Sequence, residues 1–238
     1  MSLHLIHLPI DLRALYSWGE ARSLSVRGTF DEGLVLHHLL GESFGPAVLQ
    51  PFRLMIAPKA RHGALYAYAA HPAETLLQIA AAIMDPVAAR VIDLAHLRSQ
   101  PRPDTAWYVG QRLGFDLRIR PVVRLASPLS IGRETFRKGA EVDAYLAHVV
   151  RQSDDVPGHV VQDQTADSRE SVYLNWLHKR LDGRAELDLT LTRITRHERR
   201  PIVRKGHRAD GPDTTVHGTL TVTDPTTFAT CLARGVGR

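Results

Sequence analysis

The hydrophobic pattern changes several times between alternation and helical spacing, and the order of these changes restricts the folds open to the chain. Apolar residues at every second position are typical of strands with one buried face, whereas apolar residues three and four apart are typical of helices. In the first half the order is strand, helix, strand, strand, helix, strand. Predicted strands cover residues 3–8, 52–57, 64–70 and 88–97, and predicted helices cover residues 31–44 and 72–84. Thr29 and Glu32 form a predicted capping box for the first helix, and Pro72 opens the second.

The second half repeats most of this order. We predict strands at residues 112–125, 186–194 and 216–223, a helix at 168–181, and a last helix capped by Asp224 with Pro225 in its first turn. A polar insertion at about 127–167 contains a further predicted helix at 140–151, and residues 99–104 form a predicted linker with two prolines. The pattern predicts an α+β fold of two tandem ferredoxin-like (RRM-like) βαββαβ domains, 1–104 and 105–238, the second lacking its last strand.

Positive charge is concentrated in one short segment. Residues 193–208 carry six Arg and one Lys against one acid, a sum of +6, whereas the formal charge of the whole chain is +5. Guanidinium groups match phosphate oxygens and displace condensed counterions, although an isolated charged run is usually a solvated loop. Alternating segments on both sides indicate instead a basic hairpin suited to structured RNA.

Several classes of protein are excluded by composition and motif. A single cysteine, Cys231, rules out a disulfide framework and multi-cysteine zinc sites. The N-terminus lacks the features of a signal peptide, and no apolar run approaches the ~18 residues of a membrane span, so we expect a cytoplasmic protein without membrane contact. Phosphate-binding loops, metalloprotease helices and nucleophile elbows are absent, so we expect no metal and no cofactor.

Two adjacent histidines on the first predicted helix are candidates for chemistry. Stepping 100° per residue places His38 opposite the apolar face and His37 at its edge, with Gly33 and Gly41 on the same side. The glycines would let a ligand approach His37 closely, but the spacing alone favours a structural histidine at the boundary of the core. Arg118 and Arg120 share one face of a predicted strand, which is either a groove or the solvent side.

Three stretches resemble the CasE family, the CRISPR repeat-processing endoribonucleases of type I-E Cascade. Residues 36–44 (LHHLLGESF) are similar to the family's first helix, in a spacing that selects His37 rather than His38. Residues 115–120 (FDLRIR) are similar to the strand that opens the second domain. Residues 217–237 (HGTLTVTDPTTFATCLARGVG) look like the family's strand, helix and the start of its glycine-rich loop.

The resemblance implies a substrate, a mechanism and a set of site residues. The substrate would be the stem-loop of CRISPR repeat RNA, cut without metal to leave a 2′,3′-cyclic phosphate, and the partners would be other Cascade subunits. His37 would be the general acid or base. The RNA-binding residues would be Arg118, Arg120, Arg193, Arg196, Arg199, Arg200, Arg204, Lys205, Arg208, Gly235, Gly237 and Arg238.

The sequence departs from the family in two places, and these keep alternatives open. Leu34 stands where the family often has a tyrosine, so the second proton-transfer role falls to His38, to another residue or to none. The chain also stops inside the glycine-rich loop. The chief alternative is a subunit that binds hairpin RNA without cutting it, and a third is a protein that binds acidic proteins through the arginine run.

Overall fold

The computed structural model describes residues 3–25, 30–131, 134–154, 168–204 and 207–236. In the first half, strands β1 (Leu3–Asp11), β2 (Phe52–Met55), β3 (His62–Ala69) and β4 (Arg98–Arg102) form one antiparallel sheet in the order β2-β3-β1-β4. The helices of this half are α1 (Leu12–Ala21), α2 (Glu32–Phe44) and α3 (Ala73–Ile83), and they contribute to the same hydrophobic core as the sheet. This strand order is that of the ferredoxin-like plan, so the predicted fold class is confirmed for the first half.

Alternation along β1 explains which face of the first sheet is covered. Ile6, Leu8 and Ile10 are fully buried, and they pack with Leu36, Leu39 and other residues of the helices. Helix α2 begins after Asp31, whose carboxylate accepts a hydrogen bond from the Leu34 N–H at 3.1 Å. The predicted cap Thr29 lies outside the described residues.

The closing strand of the first half lies later than we predicted. Residues 88–97 contain two short 3₁₀ helices (Ala88–Arg90 and Leu94–His96) rather than a strand, and β4 occupies most of the predicted linker. Asp85 starts the first of these turns by accepting hydrogen bonds from the N–H groups of Val87 and Ala88. The sequence of β4, RSQPR, has no alternation because it lies at the edge of the sheet, where charged residues and proline are tolerated.

In the second half, one long strand pairs with three others. Strand β12 (His207–Val222) pairs along one edge with β10 (Ala185–Leu187) and β11 (Arg193–Arg204), and along the other with β5 (Arg112–Ile119). Helices α5 (Arg169–Leu181) and α6 (Pro225–Arg234) belong to the same half. Asp224 caps α6 as predicted, and Ser168, the first residue of the predicted helix, is the cap of α5. Along the chain these strands and helices follow the order β5, α5, β10, β11, β12, α6, which is βαββα when β10 and β11 are counted as two parts of one interrupted strand. A closing strand after α6 is not found among the described residues of this half.

Three predicted strands of the second half have different bounds. The strand at 112–125 breaks at Pro121, after which β6 (Val122–Arg124) pairs with β9 (Glu141–Asp143). The strand at 186–194 is interrupted by a turn, because the Asp188 carboxylate accepts hydrogen bonds from the N–H groups of Thr190 and Leu191. The strand at 216–223 begins at His207, since pairing with β11 continues through the Gly-Pro segment that reads as a turn.

The insertion contains more structure than a single helix. It includes the hairpin of β7 (Leu129–Ile131) and β8 (Glu134–Phe136), followed by β9 and helix α4 (Ala144–Asp154). The two halves have separate hydrophobic cores: one core runs along the chain from Ile6 to Leu97, and the next begins at Trp107. A division into domains at residue 104 remains our proposal. In the part of the chain that the structure describes, no helix is both long and apolar enough to cross a membrane.

Candidate functional site

His37 and His38 lie on the exposed side of α2. The residues predicted to form its apolar face, Leu36, Leu39, Leu40, Ser43 and Phe44, are all buried, whereas both histidines are exposed. The two rings meet edge to face, with their centroids 5.8 Å apart. Helix α2 therefore packs one face into the core and exposes two adjacent imidazole rings to solvent.

A hydrogen bond orients the His37 ring. Its Nδ1 lies 2.6 Å from Nε2 of Gln50, which stands between α2 and β2. No sequence pattern indicates this contact, because residues 37 and 50 meet only through the turn that ends α2. The bond leaves Nε2, the other ring nitrogen, as the one available for a substrate.

The glycine-rich loop after α6 approaches the same place. Gly235 ends α6 with a φ of 87°, a conformation that side chains rarely adopt. A Cβ atom on Gly235 would lie 3.2 Å from Cβ of Pro51, the residue after Gln50. The loop therefore approaches Pro51, which directly follows Gln50, the hydrogen-bond partner of His37. Gly237 and Arg238 lie outside the described residues.

Gly33 and Gly41, the two glycines near His37 on α2, differ in how much free space surrounds them. A Cβ on Gly41 would meet no protein atom within 4 Å, whereas one on Gly33 would lie 3.4 Å from the Asp31 carboxylate. No contact inside the described part of the protein therefore requires glycine at position 41.

The basic run forms a hairpin, but it occupies the strands rather than a loop between them. Alternation puts Arg196, Glu198 and Arg200 on one face of β11, and His197 and Arg199 on the other. His197 packs against Tyr173 of α5, so its face is the one covered by the helix. Arg199 and Arg193 are exposed, and Arg193 donates hydrogen bonds to the carbonyls of Leu189 and Thr192. Arg204 and Arg208 lie on paired backbone of β11 and β12, and Lys205 lies outside the described residues.

Acidic side chains neutralise the arginines on the first of these faces. Glu198 accepts hydrogen bonds from Arg196 at 2.7 Å and Arg200 at 2.8 Å, and these bonds lower its pKa. Arg200 also lies 3.5 Å from Asp213 on β12. The basic hairpin therefore carries less free positive charge than its sequence suggests.

The ion pairs continue through Arg118 into the first half of the molecule. Arg118 binds the Asp213 carboxylate with two hydrogen bonds of 2.8 and 2.6 Å, and it donates to Glu32 of α2 at 3.1 Å. The bond to Asp213 raises the pKa of Arg118. Burial raises the pKa of Asp213, but the hydrogen bond from Arg118 and the positive charges of Arg118, Arg200 and Arg120 together outweigh burial, so the net shift of the pKa is downward. Sequence reasoning missed Glu32 and Asp213 as partners, because one lies in a helix and the other in a segment that reads as a turn.

A second ion-pair group joins the two halves. Arg53 of β2 donates to Asp116 of β5 at 2.9 Å, and the other oxygen of Asp116 contacts the ring of His217 on β12. With the Arg118–Glu32 pair, this makes two polar connections between strands of the second sheet and the first half.

A cleft of about 880 Å³ opens between the two sheets. Arg118 and Arg120 are among the residues that line it, as are their neighbours Leu117 and Ile119. Its end near the candidate site includes Pro51 and Gly235. Further cations and aromatic rings in its lining are Arg102, Arg124, Arg180, Arg234, Tyr66, Tyr68 and Trp176. Within the described ranges no group of three or more His, Cys, Asp or Glu side chains could hold a metal ion.

Comparison with known proteins agrees with this architecture. Among solved structures, the fold is similar to the CRISPR endoribonuclease Cse3 bound to a 19-nucleotide RNA, with a TM-score of 0.61 and 20% identity, covering 100% of this chain and 93% of that one. It is also similar to Thermus thermophilus Cse3 bound to an RNA representing a pre-cleavage complex, with a TM-score of 0.58 and 20% identity, covering 100% and 94%. No curated protein matched the chain. The family described as CRISPR associated protein matches residues 3–238. This chain therefore belongs to the CRISPR-associated protein family, as the sequence predicted.

Proposed function

We propose that this protein is an endoribonuclease that binds the stem-loop of CRISPR repeat RNA and cuts it without a metal ion. The observation that carries the proposal is the exposed His37, which is oriented by Gln50; Gly235, at the start of the glycine-rich loop, approaches Pro51, the residue after Gln50. Membership of the CRISPR-associated family and the similarity in fold to RNA-bound Cse3 support this choice of substrate.

The proposed reaction uses the RNA's own nucleophile. The 2′ oxygen beside the scissile phosphate attacks phosphorus, so that the O2′–P bond forms while the P–O5′ bond breaks. A base removes the 2′ proton and an acid protonates the departing 5′ oxygen, which gives a 2′,3′-cyclic phosphate and a 5′-hydroxyl end. Histidine suits either role because its side chain takes up and releases a proton near neutral pH.

The reaction needs a second proton-transfer group besides His37. Leu34 cannot transfer a proton, and His38 is the ionisable group in ring contact with His37, at a centroid distance of 5.8 Å. We therefore assign the remaining role to His38 or to solvent, and the cleavage rate of a His38 variant separates these two.

RNA affinity comes, in this proposal, from the basic hairpin and from the arginines that line the cleft. Arg193, Arg196, Arg199, Arg200, Arg204, Lys205 and Arg208 would contact phosphates of the stem, and Arg118, Arg120, Gly235, Gly237 and Arg238 would contact the RNA near the cut. We further propose that the protein works in the cytoplasm with other Cascade subunits, which hold the cut RNA after processing.

The test is single-turnover cleavage of a repeat stem-loop in EDTA, with binding measured in parallel. The RNA should be the repeat of the array nearest the gene. Wild type should cut it, and His37→Ala should be slower by roughly 10²–10⁴-fold with nearly unchanged affinity, since a positioned acid or base contributes about that factor. His38→Ala should slow cleavage if His38 has the second role, and should leave the rate unchanged if solvent has it.

Three results would overturn parts of this proposal. Cleavage that stops in EDTA and returns with a divalent cation would remove metal independence. Equal rates for wild type and His37→Ala would remove the assignment of His37. Tight binding of the stem-loop by a wild type that never cuts it would identify a binding subunit instead.

A further inference from the structure

Gln50 makes a direct hydrogen bond to the ring of His37, and we propose that it is a positioning residue for cleavage. The proposal rests on the proposed function, because it assigns a role to a residue that acts through His37. The contact is short, 2.6 Å between Gln50 Nε2 and His37 Nδ1, and it joins residues thirteen apart in the chain.

The backbone holds Gln50 firmly in place. Helix α2 ends at Gly45 with a φ of 96°, which turns the chain back along the helix. Leu49, the residue before Gln50, is buried with only 1% of its surface exposed, and Phe52 begins β2 two residues later. The backbone of Gln50 is therefore held between a core residue and a strand. From this position its side-chain amide is within hydrogen-bond distance of the His37 ring.

The role follows from the two ring nitrogens of histidine. As a base, His37 needs a bare Nε2, so its proton must be on Nδ1. As an acid, the ring carries protons on both nitrogens. In both active states Nδ1 is a donor, and it needs an acceptor beside it.

The Gln50 amide can supply that acceptor from the position it already has. Its oxygen and nitrogen exchange places when the amide turns by 180°, at almost the same distance from Nδ1. With the nitrogen toward Nδ1, the neutral ring holds its proton on Nε2 and cannot accept a proton there. With the oxygen toward Nδ1, the ring presents the active form of Nε2 to the RNA. In this second orientation the amide stabilises the active form of His37 without adding a charge next to a phosphate.

The test combines cleavage rates with their dependence on pH. Gln50→Ala and Gln50→Leu should cut the repeat stem-loop roughly 10²-fold more slowly than wild type, with unchanged RNA affinity, because a misplaced catalytic group costs about that factor. Gln50→Glu should keep most of the rate, and the histidine limb of its pH–rate profile should move to higher pH. The reason is that a carboxylate beside Nδ1 favours the protonated ring.

Two controls separate positioning from a purely structural effect. Gln78→Ala removes an exposed glutamine from α3 and should change neither the rate nor the profile. His38 is the ionisable group in ring contact with His37, so the profiles should also be measured in the His38→Ala background. If Gln50 has only a structural role, Gln50→Ala and Gln50→Leu should have a lower melting temperature than wild type. In that case the histidine limb of the pH–rate profile should not shift in Gln50→Glu.

Failure of this inference and failure of the proposed function give different results. If His37→Ala is inactive while Gln50→Ala cuts at the wild-type rate, Gln50 has no positioning role and the endoribonuclease proposal stands. If wild type does not cut at all, nitrogen NMR of the His37 ring still decides the matter. Removing the amide should change the fraction of rings protonated at Nδ1, and identical spectra for wild type and Gln50→Ala would overturn the proposal.

Discussion

Gly41 occupies an interior position of helix α2, where glycine is normally unfavourable. It lies one turn after His37, and a Cβ added there would meet no described atom of the protein within 4 Å. We expect Gly41→Ala to raise the free energy of unfolding by roughly 0.5–1 kcal/mol, because alanine loses less backbone entropy in a helix. Urea unfolding measures this increase.

The same substitution tests whether RNA approaches His37 on this side. If the phosphate backbone passes over Gly41, the added methyl group should slow cleavage or weaken binding while the protein becomes more stable. Gly33→Ala is the comparison, since the Asp31 carboxylate already lies 3.4 Å from its added Cβ. Unchanged cleavage and binding in Gly41→Ala would show that the substrate stays clear of this surface.

His197 lies in the basic run but faces the helix side of the sheet. Burial lowers its pKa, and the nearby Arg169 lowers it further. The unfolded chain therefore binds a proton more readily than the folded one as the pH falls below the ordinary value of about 6.5. The stability from neutral His197 is present above this pH and is lost below it.

We accordingly expect the melting temperature to fall between pH 7.5 and pH 5.5, and to fall less in His197→Gln than in wild type. Thermal unfolding at the two pH values provides the comparison. His178, an exposed histidine on α5, provides the matched control, and His178→Gln should behave like wild type. Equal falls for wild type and His197→Gln would show that His197 titrates alike in the folded and unfolded states.

At this scale the family resemblance predicts His37 as a site residue, but the sequence does not predict its neighbours. The spacing of apolar residues along α2 places His38 opposite the buried face and His37 at its edge, and both side chains are exposed. Gln50 and Gly235 reach the site through a turn and through packing between the ends of the chain, and no local pattern records either contact.

Strand β11 carries most of the chain's local excess of positive charge, and part of that charge is held by acids. Glu198 binds both Arg196 and Arg200 in the free protein. A phosphate backbone would have to compete with this carboxylate for the same two guanidinium groups. We therefore expect Glu198 to weaken both nonspecific and specific binding of RNA.

We expect Glu198→Gln to bind repeat RNA a few-fold more tightly at low salt. The slope of log affinity against log salt should steepen by about 0.7–0.9 for each additional phosphate that the freed arginines neutralise. Glu186→Gln makes the same charge change on β10, at the same edge of β12, and should have a much smaller effect. A slope that does not differ between the two variants would show that RNA does not use Arg196 and Arg200.

The elements that the sequence predicts well are those with local signals. Helices α2, α5 and α6 each have a capping side chain. The bounds of α2 and α5 agree with prediction to within about two residues, and α6 begins at Pro225 as predicted. Strands β4 and β11 lack such signals, because an edge strand rich in arginine has no apolar alternation. Strand β4 pairs with β1, which is distant in sequence, so a long-range contact overrides local preference there. Strand β11 pairs with β12, the next strand along the chain, in a hairpin that the alternating segments on both sides of the basic run indicate.

The whole molecule consists of two separately packed halves joined partly by ion pairs. Arg53–Asp116 and Arg118–Glu32 both connect the halves, and their side chains are only partly exposed. Hydrogen bonds to charged groups in such positions contribute roughly 1.5–3 kcal/mol each, less where solvent reaches them. Because each half has its own core, loss of these pairs should leave both halves folded.

We therefore expect Arg53→Ala combined with Glu32→Gln to separate thermal unfolding into two transitions. Calorimetry counts the transitions, and small-angle scattering reports whether the halves move apart. Arg112→Ala, which breaks an ion pair with Asp188 inside the second half, should lower stability without adding a transition. A single transition in the double variant would mean that the remaining contacts are enough to unfold the halves together.

The contact between Gly235 and Pro51 has a consequence for the time at which activity begins. His37 and Gly235 are separated by roughly 200 residues, so a ribosome adding ~5–20 residues per second makes the helix about 10–40 s before the loop. The first half can already be folded during that interval, yet the cutting centre that we propose is incomplete. A nascent chain would therefore not cleave the RNA around it, and its catalytic activity would begin only after the ribosome has passed Gly235.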